Sequence, residues 1–166
     1  MKARLNPISA WCGPGFVALL AILALGLPSA SPAAPAPALI GLNFPGATLG
    51  RDVSRTPPDC NGVIGPAHFV QFIAGSFSVY RKTDGTLVTN LSDHVFWGNA
   101  GVVVGTGFDV ANPRIVYDSS SRRWFAAEVD FFKPNPSLGK NNFLLAVSAT
   151  FDPSGAWSAV PSARRT

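Results

Sequence analysis

PRIVYDSSSRRWFAAEV, Pro113 to Val129, reads as two strands around a tight polar turn. Arg114 to Asp118 is rich in β-branched and aromatic residues. Ser119, Ser120 and Ser121 are turn-prone, and Arg123 to Val129 resumes with Trp124 and Phe125. Two such runs split by a short polar break predict a β-hairpin. Pro113 donates no N–H, so it suits the first position of the first strand. Side chains alternate along a strand, so Trp124 and Phe125 point to opposite faces. Two large aromatics side by side predict a strand buried on both faces. Ala126 and Ala127 then leave room for a neighbouring sheet on each side.

The same signals extend in both directions from this hairpin. Leu39 to Phe44 is a short apolar run that fits an edge strand, and Gly50 to Pro66 is dense in Pro, Gly, Asp and Asn and reads as irregular. Ala67 to Ala74 and Phe77 to Lys82 are strands, and Thr83-Asp84-Gly85 is a turn before Thr86 to Thr89 returns. Val95 to Trp97 and Val102 to Val104 are short strand candidates between glycines. Phe132 to Asn142 is a polar loop, Phe143 to Ala149 a strand, and Asp152 to Gly155 a turn before Ala156 to Val160. No stretch after the N-terminus sustains a helical period. The expected class is all-β, an antiparallel meander of short strands, and a sandwich, a barrel and a propeller all fit this spacing.

The N-terminus has a different character. Lys2 and Arg4 precede the apolar run Phe16 to Leu27, and Pro28 to Ala38 is small residues and proline. That order predicts a helical secretory signal peptide over residues 1–38, cut after Ala38 or, alternatively, after Ala33. The apolar run is about half of the roughly 20 residues a membrane span needs. The expected location is therefore secreted, periplasmic or extracellular, with no membrane span after leader cleavage. Loss of Lys2 and Arg4 takes Lys plus Arg from 13 to 11 against 9 Asp plus Glu. A net charge near +2 is too small and too scattered for nucleic acid. Cys12 leaves with the leader, so Cys60 has no partner for an intramolecular disulfide and reads as a half-buried, inert thiol.

PPDCNGVIGPAHFVQFIAGSFSVYRKTDGTLV, Pro57 to Val88, resembles a pattern of exported bacterial proteins of β-propeller type. The hairpin at Pro113 and the run Leu144 to Trp157 resemble the blade segments that follow it. Ala67 and Asn112 depart from the pattern, where Asn and Asp are usual. Thr150 to Trp157 resembles the Asp-box of sialidase-like propellers, with two residues instead of one between Asp152 and Gly155. The resemblance implies fold and location, with Asp152 and Gly155 as structural turn residues, and no particular activity. Residues 39–166 hold material for two or three blades, fewer than a closed ring needs. A truncated chain, or completion by another subunit, is the expectation.

The candidate chemistry is sparse, and no catalytic residue is assigned. Glu128 and Asp130 share a strand face as paired carboxylates would, although Glu128 can equally face solvent. His68 and His94 lack metal-ligand spacing and read as satisfied strand histidines. Asp59 and Asn61 are candidate cation ligands. Calcium takes six to eight oxygens, so others, such as those of Asp109 or Asp130, must join them. Asx-turn chemistry accounts for the same two residues. Val102 to Gly107 lacks the glycine and lysine spacing of a nucleotide loop. Trp97, Trp157 and Tyr80 are candidate exposed aromatics for a glycan or a cell-surface protein. The expected function is a secreted β-propeller-type binding module. The alternative is a fragment of a sialidase-like glycoside hydrolase.

Overall fold

The computed structural model describes residues 38–135, 137 and 141–161. The expected leader, up to residue 37, and the last five residues lie outside them. The described strands are β1 (Asn61–Ile64), β2 (His68–Ile73), β3 (Ser76–Arg81), β4 (Leu87–Leu91), β5 (Phe108–Asp118), β6 (Arg123–Phe132), β7 (Phe143–Ser148) and β8 (Trp157–Pro161). A short helix, α1 (Asp93–Asn99), falls between β4 and β5. The strands form two four-stranded antiparallel sheets, ordered β1-β2-β3-β4 and β5-β6-β7-β8. The all-β prediction holds apart from this short helix, and neither sheet closes into a barrel. No helix among the described residues is long and apolar enough to cross a membrane.

The hairpin forms as its residues dictate. Tyr117 pairs with Trp124 and Asp118 with Arg123. The Asp118 carboxylate accepts the N–H groups of Ser120 and Ser121 at 3.0 Å each, and Arg122 takes a left-handed φ of 56°. The first strand starts earlier than predicted, at Phe108. Pro113 therefore does not open it but sits in a bulge, where the register shifts between Ala111 and Arg114 and Asn112 has φ 58°. A bulge leaves a residue unpaired, so the missing proline N–H breaks no ladder bond.

β6 corrects the expectation of a strand buried on both faces. Trp124, Ala126, Glu128 and Asp130 are buried, while Phe125, Ala127 and Val129 between them are half-buried. Among the described residues no second sheet covers the outward side, so the adjacent aromatics divide between a sealed face and a partly open one. The sealed face belongs to one core. Val70, Phe72, Phe77 and Val79 of the first sheet pool with Val110, Ile115, Trp124, Ala126, Leu144 and Ala146 of the second.

Four further segments depart from expectation. Val95 to Trp97 is helical. The Ser92 hydroxyl accepts the Val95 N–H at 3.3 Å, Asp93 occupies the first turn, and Phe96 and Trp97 drive into the core. Gly101, at φ 99°, follows the helix end. Val102 to Val104 is irregular, and Asn61 to Ile64, inside the segment read as irregular, is strand β1, paired with β2. Leu39 to Phe44 is not a strand. Its Phe44 ring instead lies on Tyr80, with centroids 5.1 Å apart, and on Phe69 at 6.2 Å.

β3 is buried on both sides. Phe77 and Val79 enter the core, whereas Ser76, Ser78 and Tyr80 are buried on the other face, where Ser78 and Tyr80 line a cavity with residues 44–47, 51 and 52. The Ala47 N–H bonds the Gln71 side-chain oxygen at 3.0 Å and ties that segment down.

Candidate functional site

The densest polar cluster joins residues far apart in sequence. Arg55 leaves the irregular segment and donates to the Val110 carbonyl at 2.8 Å and to Asp109 at 2.5 Å, with Asp93 at 3.7 Å. His94 Nε2 lies 3.1 Å from the same Asp109 oxygen, and Lys133 Nζ lies 3.4 Å from the other. Asp93 accepts the Gly75 N–H at 2.9 Å. The cluster thus fastens the β2–β3 turn, α1 and the start of β5 together. Burial alone would raise the Asp109 acid. The bonds from His94, Arg55 and its neighbour's backbone N–H outweigh it and hold the carboxyl well below the usual range.

Glu128 is the second feature, and it does not face solvent. It is 1% exposed, and the Trp97 indole N–H donates to its Oε2 at 2.5 Å. The Oε1 atom is buried without a hydrogen-bond partner. Burial pushes this acid up to about 8, against the opposing bond from Trp97, with Asp93 adding repulsion. The shift favours the protonated acid at neutral pH, and its bond to Trp97 pins α1 to β6. Asp130 shares its strand face, as predicted, but its two oxygens are taken by the backbone and side-chain N–H groups of Asn142.

The histidines differ from their reading as satisfied strand residues. His94 lies on α1. His68 is on β2, and its buried Nδ1 has no hydrogen-bond partner, with Asp152 Oδ1 at 3.9 Å. Cys60 is exposed rather than half-buried, because β1 begins only at the next residue.

The predicted cation ligands do not converge. Asn61 Oδ1 accepts the Ile115 N–H at 2.7 Å, which ties β1 to β5, and Asp59 is a half-buried residue of irregular backbone at φ 46°. Asp109 and Asp130 are engaged as above. No group of three or more His, Cys, Asp and Glu is placed to hold a metal among the described residues. Asp152 and Gly155 do form the expected turn. Asp152 Oδ1 accepts the Ser154 N–H at 2.9 Å and its hydroxyl at 2.7 Å.

The three aromatics part company. Trp97 is fully buried, because its indole is needed against Glu128, and it offers no surface. Tyr80 is 5% exposed, so it is not the open ring that was expected. It nevertheless lines a cavity of about 230 Å³ with Phe44, Ser78, Asn90, Arg51 and Asp52. Trp157, half-buried, lines a cavity of about 220 Å³ with Phe77, Phe96 and the 153–156 turn. Its ring meets Phe77 at 5.7 Å and Phe96 at 5.1 Å.

Arg55, Asp93 and the Trp97–Glu128 bond escaped the sequence. Arg55 meets Asp109 across 54 positions, and nothing local marks that pairing. Ser92-Asp93 ahead of an aromatic pair was a readable helix start. No protein-family model matches the chain, and neither a curated protein nor a solved structure matches it significantly.

Proposed function

We propose that this chain is an exported binding module of propeller-type blades that holds a glycan, free or carried on a cell-surface protein. The observation that carries this is a division of labour among its side chains. Tyr80 and Trp157 wall two open concavities that also present neutral polar groups. The ionisable groups suited to bond-breaking are buried or locked in internal pairs. Concave, aromatic-walled sites with a few polar groups are how proteins hold small ligands. Two sequential four-stranded meanders, with β1 and β2 packed on β5, agree with blades set side by side. The leader-like N-terminus agrees with export.

The second reading, a glycoside hydrolase fragment, rests on one observation. Glu128 is pushed up and Asp109 down, the pattern of an acid and an ionised partner. Burial of Glu128 works against it, since a substrate has no approach. Incubating the purified protein with a panel of immobilised glycans, and in parallel with fluorogenic glycosides, tests both. The expected result is retention on one glycan class without turnover. Turnover that Glu128→Gln abolishes would replace the binding module with the hydrolase.

A further inference from the structure

We infer that the cavity between the 44–52 segment and the outward face of the first sheet is a seat for a neutral pyranose ring. This rests on the glycan reading above and assigns it a place and a sugar class. The cavity is about 230 Å³, the scale of one small ring.

Its apolar wall is built by packing. Phe44 stacks against Tyr80 with centroids 5.1 Å apart and ring planes tilted by 38°, and Leu87 adds an aliphatic edge. Phe44 fits because Gly85 has no side chain. A Cβ there would stand 2.7 Å from the ring, and Gly85 itself has φ 74°. Tyr80 is 5% exposed, so the surface left for the C–H face of a sugar is that of half-buried Phe44 and exposed Leu87.

The floor carries Ser78 and Asn90, and Ser76 behind them helps to order it. The Ser76 and Ser78 hydroxyls lie 3.0 Å apart, and they donate to Asn90 Oδ1 at 3.1 and 3.4 Å. With Oδ1 turned to the serines, the Asn90 NH2 group is left for a ligand. The Tyr80 hydroxyl reaches Gln71 only at 3.4 Å, so it is weakly held. Donors with spare capacity beside an aromatic wall match a ring carrying several hydroxyls.

The rim decides the sugar class. Arg51 lies on Asp52, with Nε 3.1 Å and Nη2 2.9 Å from one carboxylate oxygen. An arginine recognises a ligand carboxylate through that same fork. With the fork closed by Asp52, the rim is electrically neutral. It favours hydroxyl-rich sugars over sialic or uronic acids.

The test uses the purified protein with lactose, cellobiose, chitobiose and 3′-sialyllactose as probes, read by calorimetry and by backbone amide shifts. The expected result is binding of at least one neutral disaccharide, with shifts at Gly46, Gly85 and Asn90. Asn90→Ala and Tyr80→Phe should each weaken it about tenfold, as for one lost hydrogen bond. Tyr80→Phe removes a single oxygen and keeps the fold. Asp52→Asn keeps the rim's shape while freeing Arg51, so preference should move toward 3′-sialyllactose. Neutral binding that ignores all three substitutions and shifts Trp157 instead would overturn the site and leave the glycan reading standing. Binding of none of the probes would overturn the site. Failure on the immobilised glycans as well would remove the glycan reading with it.

Discussion

The two sheets share a strand order and differ in what covers them. In the first, β3 is sealed on both sides, although its outward face carries Ser76, Ser78 and Tyr80. In the second, the outward face is the more apolar of the two, yet Val116, Phe143, Leu145 and Val160 are exposed. Its inner face holds the polar pair Glu128 and Asp130. Burial here follows what the chain lays over a sheet. The segment around residues 44–52 returns over the first sheet and ties itself to Gln71. No described segment does so for the second. Polar side chains tolerate enclosure where they bond one another, as the two serines and Asn90 do.

The contrast is broken most sharply at the central hairpin. Trp124→Ala should cost about 3–5 kcal/mol, as for a fully buried aromatic. Phe125→Ala should cost well under half of that, because its outward face is only partly covered. Urea unfolding of both variants decides, and equal losses would mean that the second sheet is covered on both sides in solution. The next largest effect is at Gly65, where a Cβ would overlap the Trp124 ring. Gly65→Ala should cost about 1–3 kcal/mol as overpacking. A neutral result would show that the ring has room to move.

The buried acid in the second sheet makes a pH prediction. Its folded value of about 8 lies above the ordinary 4.5, so the folded state holds the proton more tightly than the unfolded chain. The stabilising contribution is complete below about pH 4.5 and is lost progressively as pH rises toward 8. Within that window each pH unit should remove up to about 1.4 kcal/mol. Glu128→Gln should flatten the profile, and a wild-type profile that is already flat would contradict a neutral, buried Glu128. The smallest effect belongs to the outward face. Val116→Thr, at a site 56% exposed, should stay within about 0.5 kcal/mol. A much larger loss would mean that this face has a covering partner.

Much of the fold was legible from local chemistry. Asp118 with its serines and Asp152 with Ser154 build turns from atoms two or three residues apart, so the sequence alone marks them. Alternating β-branched and aromatic runs mark β2, β3, β6 and β7 in the same way. The helix was harder to read, since seven residues complete barely two turns and show no period. Its Ser92 cap was the available signal. β1 was hidden because Asn-Gly reads as a turn, and only its pairing with β2 makes it a strand.

The candidate site divides along the same line. Tyr80 and Trp157 were visible as aromatics, and Glu128 and Asp130 as carboxylates on one face. Which of them a ligand can reach was not visible. Trp97 and Glu128 are 31 positions apart, and each is sealed because the other completes it. By itself the sequence determined the strands, the turns and the presence of an aromatic and polar repertoire, all of which depend on neighbours within a few residues. Only the tertiary structure decided which side chains became core, clamp or cavity wall, because burial and pairing depend on segments brought together from distant parts of the chain.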